Sequence, residues 1–276
     1  MQIISYAQNF EDIMLWRALK HIKKGFYMDI GAAWPVADSV TKLFYDKGWR
    51  GINIEPNPDL YQELEKQRSE DININAAISS NATQSQFFMA GTTGLSTADK
   101  TIADHYKKNG VTLSAVQTSF LTLNDVWEQF VGKQDVHFLK IDVEGLETTI
   151  IESNDWIHHR PWILVVEAIA PLTQEQSYIE WEPLLLQAGY IYAYQDGLNR
   201  FYIASEHSDL LKTFSVPPNV FDNFIKYKEN DEIVKEICLL RAQIKSLENE
   251  LSGITGSHSW KMTAPLRKVV QLMKSL

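Results

Sequence analysis

Between residue 25 and about residue 205, short apolar runs alternate with stretches whose apolar residues recur every three or four positions. GFYMDI (25–30), RGINIE (50–55), DININAAIS (71–79), HFLKID (137–142) and WILVVEA (162–168) read as strands. VADSVTKLFYDKG (36–48), PDLYQELEKQR (58–68), LNDVWEQF (123–130), LETTIIES (146–153) and the segment around 176–188 read as helices. The stretch 80–122 is less regular. This alternation predicts an α/β fold, a parallel sheet covered by helices on both faces. Two further runs, YIYAYQ and LNRFYIA, are joined only by Asp196-Gly197, a hairpin signal. Strands joined so tightly are antiparallel, so the sheet is expected to finish with one reversed strand.

Past residue 226 the pattern changes. Ile233, Ile237, Leu240, Ile244, Leu247, Leu251 and Ile254 alternate spacings of four and three, the seam of a short coiled coil. It predicts self-association through 233–254, or a lone helix packed on the domain. The closing SWKMTAPLRKVVQLMKSL holds Lys261, Arg267, Lys268 and Lys274 and no acid. A basic amphipathic helix there can lie on an anionic membrane surface, or it is an ordinary exposed helix. The expected organisation is a domain over 1–226, a coiled-coil helix over 227–256 and a basic helix over 257–276.

A net charge of −9 argues against a nucleic-acid partner, which a basic surface would announce. The one cysteine, Cys238, allows no internal disulfide and fits a reducing compartment. The N-terminal MQIISYAQNFEDIML is too polar for a secretory signal, and no stretch is apolar enough to span a bilayer. The main domain is expected in the cytoplasm, with the basic tail allowing a peripheral position at the inner membrane surface.

The chemistry gathers at strand ends. The first strand ends in Asp29 and turns at Gly31 into Ala32 and Ala33, ahead of the next helix. The glycine turn lets the backbone approach a ligand. G-x-G-x-x-G would need glycines at Ala33 and Val36, so NAD and FAD are disfavoured. Asp29 can pair with a ligand ammonium, and Glu55 at the second strand end can accept ribose hydroxyls. Ala76 and Ala77 are small enough to admit an adenine. A ligand with both a ribose and an amine is suggested, and S-adenosylmethionine has both. An ordinary βα turn, a solvated strand end and helix–sheet packing are the plain readings of the same residues. In SYAQNFEDIMLWRAL, Ser5 and Gln8 have capping-box spacing before an apolar stripe. That segment is a packing helix, or a lid bringing Gln8 and Glu11 over the ligand.

SYAQNFEDIML (5–15), GFYMDIGAAWPVADSVTKLFYDKGWRGINIEP (25–56), FLKIDVEGLE (138–147), RPWILVVEA (160–168) and DGLNRFYIA (196–204) together resemble the FkbM family of S-adenosylmethionine-dependent methyltransferases. The resemblance covers roughly residues 3–226. It implies a Rossmann-like class I methyltransferase fold, with a mostly parallel seven-stranded sheet and an antiparallel last strand. It also implies methyl transfer to a hydroxyl. Carried over by motif, Asp29, Gly31 and Ala33 form the donor loop, Glu55 is the ribose acid, and Asp142 with Glu144 marks the acceptor side. The last stretch of the chain resembles the tails of bacterial polysaccharide glycosyltransferases.

FLKIDVEGLE ends a buried strand in acids that must meet solvent, a cation or a ligand. Asp142 can take the proton of a hydroxyl nucleophile. With Glu167 at the next strand end it can also form half of a Mg²⁺ site, Glu144 being nearby. Lys140 reads as the counter-ion of this cluster and Glu147 as a first-turn helix acid. Ser96, Thr97, Asn199 and Arg200 are candidates for the acceptor pocket. The expected activity is O-methylation of a sugar hydroxyl in a bacterial surface polysaccharide or its precursor. A non-catalytic nucleoside-binding scaffold for glycan assembly and a nucleotide-sugar dehydrogenase are the alternatives.

Overall fold

The computed structural model describes residues 3–80, 86–91, 96–171, 173 and 175–227, together with 255, 262 and 263. The chain divides into a compact unit of residues 1–227 and a second unit of residues 228–276. The seam over 233–254 lies outside the described residues, as does the basic segment 257–276 except for residues 262 and 263.

Seven strands form the central sheet: β1 (Phe26–Ile30), β2 (Arg50–Ile54), β3 (Ile72–Ile74), β4 (Phe138–Ile141), β5 (Ile163–Glu167), β6 (Tyr190–Gln195) and β7 (Asn199–Ala204). Their order is β3-β2-β1-β4-β5-β7-β6. The first five pair parallel. β7 lies antiparallel between β5 and β6. β1 and β4 are buried at every position, which is why their sequences run apolar without alternating. Neighbouring residues feed opposite cores. Met28, Ile52, Leu139, Leu164 and Tyr202 pack on one face. Tyr27, Phe138, Val165 and Phe201 pack with Phe44 and Trp49 on the other. The chain leaves β1 toward β2 and β3, then returns to β4 on the other side of β1. That reversal opens a crevice at the C-terminal ends of β1 and β4, the usual place for a ligand in such sheets.

Several elements differ from their expected extent. Only Lys42–Asp46 of 36–48 is helical; ahead of it Asp38 takes a left-handed φ of +55° and Arg68 donates to the Ser39 and Thr41 hydroxyls. The strand expected over 71–79 stops at Ile74. Asn75 turns its amide onto the carbonyls of Glu55 and Pro56, and Ala77–Ile78 pairs instead with Phe120–Leu121. The helix around 176–188 is confined to Glu182–Gln187. Ser5 and Gln8 cap nothing. Ser5 ends a short strand, Ile3–Ser5, and its hydroxyl donates to Asp12 at 2.7 Å. The helix Glu11–Leu19 starts from Phe10 in the left-handed region, with no side-chain cap.

Ile3–Ser5 pairs in parallel with Phe224–Lys226. Arg17 reinforces the closure, meeting Asp222 at 2.6 Å and three carbonyls at 2.7–3.1 Å. Among the described residues no helix is long and apolar enough to cross a membrane.

Candidate active site

A cavity of about 470 Å³ opens at the crevice. Gly31, Ala32 and Ala33 border it after β1, Glu55 after β2, Asp142 and Glu144 after β4, and Glu167 at the end of β5. Ala76, Ala77, Gln8 and Ser96 line it as well. Of the residues singled out in the sequence, Asp29, Glu11, Thr97, Asn199 and Arg200 do not line it.

The loop after β1 is held from both sides. Gly31 has φ +76°, and a Cβ there would sit 1.8 Å from the Asp142 carbonyl oxygen, so only glycine allows this approach. Ala33 follows at φ +49°, a strained conformation for a residue with a side chain. Its amide donates to Glu55 at 2.8 Å, and the Asn57 amide donates to the other Glu55 oxygen at 2.8 Å. Burial pushes the Glu55 carboxyl up to about 7 against the pull of these two amides.

Asp29 lies behind the cavity wall, 1 % exposed. Thr41 donates to it at 3.2 Å and the Lys140 ammonium stands 3.4 Å away. Burial raises its pKa, with Lys140 and Arg68 opposing. Arg68, fully buried, pairs with Asp71 at 3.0 Å and donates to Thr41, the Tyr27 hydroxyl and the Pro35 carbonyl. No spacing in the sequence links Arg68 or Thr41 to the first strand. They meet only when β1, β2 and the helix Pro58–Gln67 pack together.

On the other side, Asp142 is partly exposed and its Oδ2 lies 3.2 Å from Lys140. Glu144 has φ +54° and accepts the Tyr106 hydroxyl at 2.7 Å. Burial and then the Asp142 charge push it up to about 7. Glu147, which the sequence presents as a helix-start acid, folds back onto the amides of Val143 and Gly145 at 3.2 Å and holds the turn. Burial, followed by the charges of Asp142, Glu147 and Glu144, holds Glu167 far above the usual carboxylate range, so it keeps its proton at neutral pH. Tyr106 had no signal in the sequence; it arrives from the helix Lys100–Lys108 in the irregular stretch.

The expected Mg²⁺ between Asp142 and Glu167 finds no support among the described residues. The Lys140 ammonium stands 3.2 Å from one Asp142 oxygen, where a cation would otherwise sit. Among the described residues, no three His, Cys, Asp or Glu side chains are grouped to hold a metal ion. The remaining expected site residues lie elsewhere. Glu11 is buried against the Asn199 amide at 2.8 Å and the Asn9 amide at 2.8 Å, pushed up to about 7 by burial. Gln8 does reach the cavity, ahead of that helix. Arg200 pairs with Glu182 at 2.7 Å between the rings of Tyr178 and Tyr192. Thr97 is bridged to Phe88.

No curated relative matches the chain. A family model described as the methyltransferase FkbM domain matches residues 29–192. The match begins at Asp29, where β1 turns into the first cavity loop, and runs through β5 into β6. It therefore takes in the cavity-bordering ends of β1, β2, β4 and β5 and more than half of the sequence, and the chain belongs to the FkbM methyltransferase family.

Proposed function

We propose that the chain is an O-methyltransferase acting on a sugar hydroxyl in the assembly of a bacterial surface polysaccharide. Methyltransferases of this kind use S-adenosylmethionine, which supplies a methyl group on a positively charged sulfur. The residues present fit it. The cavity volume falls within the range of about 300–1,000 Å³ of small-molecule sites. Ile54, Ala77, Ile78 and Phe87 offer an apolar wall beside Glu55, as a purine and its ribose require. In this reading Gly31, Ala32, Ala33, Glu55, Ala77 and Gln8 hold the donor.

The observation that carries the acceptor side is the placing of Asp142, Glu144 and Glu167 together on the cavity wall. Burial holds the Glu167 carboxyl well above the usual carboxylate range, which fits it to donate. Asp142 accepts the proton of the attacking hydroxyl. Glu167 donates a hydrogen bond, and Glu144, fixed by Tyr106, accepts one. A polyhydroxyl acceptor can use all three, and the excess of acid over base disfavours an anionic group at the reacting carbon. The test is transfer of labelled methyl from S-adenosylmethionine to a panel of mono- and disaccharides and nucleotide-linked sugars. Label on a ring hydroxyl supports the reading; label only on nitrogen or carboxylate acceptors overturns it.

Glu55→Ala is expected to weaken S-adenosylmethionine binding by about 1–3 kcal/mol, the cost of leaving buried hydroxyls and the Ala33 amide without their acceptor. Titration calorimetry reads this directly, and wild-type affinity in the variant would remove Glu55 from the ribose site.

A further inference from the structure

Asp29 and Lys140 face each other across the sheet, paired in register on β1 and β4. Lys140 is 7 % exposed, and its ammonium has three donors to place. It donates to the Gly31 carbonyl at 3.2 Å and stands at ion-pair distance from Asp142 Oδ2, 3.2 Å, and Asp29 Oδ1, 3.4 Å, an oxygen that accepts no hydrogen bond. Of these three oxygens one belongs to the buried acid behind the wall, one to the acceptor-side acid and one to the donor loop. Behind Asp29, Thr41 donates to its second oxygen and Arg68 donates to Thr41. Asp142 therefore stands at the cavity end of a chain of buried partners that begins outside the cavity altogether.

The backbone makes the same connection. Gly31 lies so close to the Asp142 carbonyl that no side chain fits between them. Donor loop and acceptor acid touch through their main chains, and Lys140 spans the same gap with a charge. A buried ammonium set among three oxygens has little freedom, and its charge restrains the partly exposed Asp142 carboxylate beside it.

We infer that Lys140 is a positioning residue for methyl transfer, fixing the Asp142 carboxylate against the donor loop, and that Asp29 acts by anchoring Lys140 and does not touch the donor. The inference rests on the methyl-transfer reading with Asp142 at the acceptor. It departs from the expectation that Asp29 pairs with the donor ammonium. Asp29 does not line the cavity, and an ammonium from this chain already stands against it.

The test uses the full chain with Asp29→Asn, Lys140→Met, Lys140→Arg and the double variant Asp29→Asn/Lys140→Met. Lys140→Met alone leaves two carboxylates without their cation and can fail to fold. The double variant removes one charge of each sign and carries the test in that case. Three quantities are read: melting temperature without ligand, S-adenosylmethionine affinity by calorimetry, and kcat with acceptor KM on the sugar of the panel that the wild type methylates. The double variant is expected to bind S-adenosylmethionine with near wild-type affinity. Its kcat should fall by about 10²-fold, the scale of a misplaced catalytic group, with acceptor KM little changed. Lys140→Arg should recover part of that loss, and in the Lys140→Met background Asp29→Asn should remove no further kcat. A double variant with wild-type kcat makes Lys140 a counter-ion for folding only and overturns the inference. A tenfold or greater loss of donor affinity on adding Asp29→Asn to Lys140→Met puts Asp29 on the donor and overturns it equally. If the wild type methylates no sugar, the acceptor reading falls while the affinity comparison still decides Asp29.

Discussion

Asp142→Asn is expected to lower methyl transfer by at least about 10²-fold, the lower range for a positioned acid–base group. Asparagine keeps the shape and the contact with Lys140, at 3.2 Å in the wild type, but cannot take up a proton. Donor affinity should change far less, because Glu55 and the Gly31–Ala33 loop reach the cavity from other strands. Single-turnover rates and calorimetry on one preparation separate the two. Wild-type turnover in this variant would make the acid cluster structural, held by Lys140, and would leave the hydroxyl proton without an acceptor. Loss of donor affinity matching the loss of rate would instead move Asp142 to the donor side.

The largest effect on stability is expected from Arg68→Met, about 3–5 kcal/mol, the range for breaking a buried ion pair from one side. Arg68 is fully buried and pairs with Asp71 at 3.0 Å. It also donates to the Tyr27 hydroxyl at 2.6 Å, the Pro35 carbonyl at 3.2 Å and Thr41 at 3.1 Å. Methionine fills much of the volume but leaves Asp71 charged in the interior. Adding Asp71→Asn should restore part of the loss, since it removes that charge. Urea unfolding followed by tryptophan fluorescence measures both variants. A change below about 1 kcal/mol, the scale of one ordinary hydrogen bond, would show that the remaining partners carry the network without Arg68.

The sheet was legible because its strands are buried on both faces. FYMDI, FLKI and ILVVE are almost continuously apolar, and such runs have few other stable uses in a chain of this composition. The hairpin was legible from Asp196-Gly197, where the Asp196 amide donates to the Asn199 carbonyl across the turn. Acids that end strands β2, β4 and β5 do reach the cavity, since a strand end beside the switch point has nowhere else to send a polar side chain. Asp29 shows the limit of that reasoning. It is not the last residue of β1, which continues to Ile30, and a carboxylate one step earlier faces its neighbour strand and meets Lys140. Glu11 shows another. Its partner Asn199 is 188 residues away in the chain, and no local pattern tells a lid from a helix pinned by so distant a contact. Asn75 broke the strand expected over 71–79 by capping carbonyls of the preceding loop, a competition that apolar periodicity does not register.

The pairing of Ile3–Ser5 with Phe224–Lys226 has an architectural consequence. Ile3 lies opposite Phe224 and Ser5 opposite Lys226, in parallel register, so the backbone enters and leaves the unit two residues apart on one ribbon. With the strand rise along the ribbon and one strand spacing across it, entry and exit are about 8 Å apart. The two ends of the unit are thus neighbours on one short ribbon, the chain entering at one end of it and leaving at the other. Threaded into a loop of another protein it would ask that loop to open by about 8 Å, with the two cut ends approaching from opposite directions.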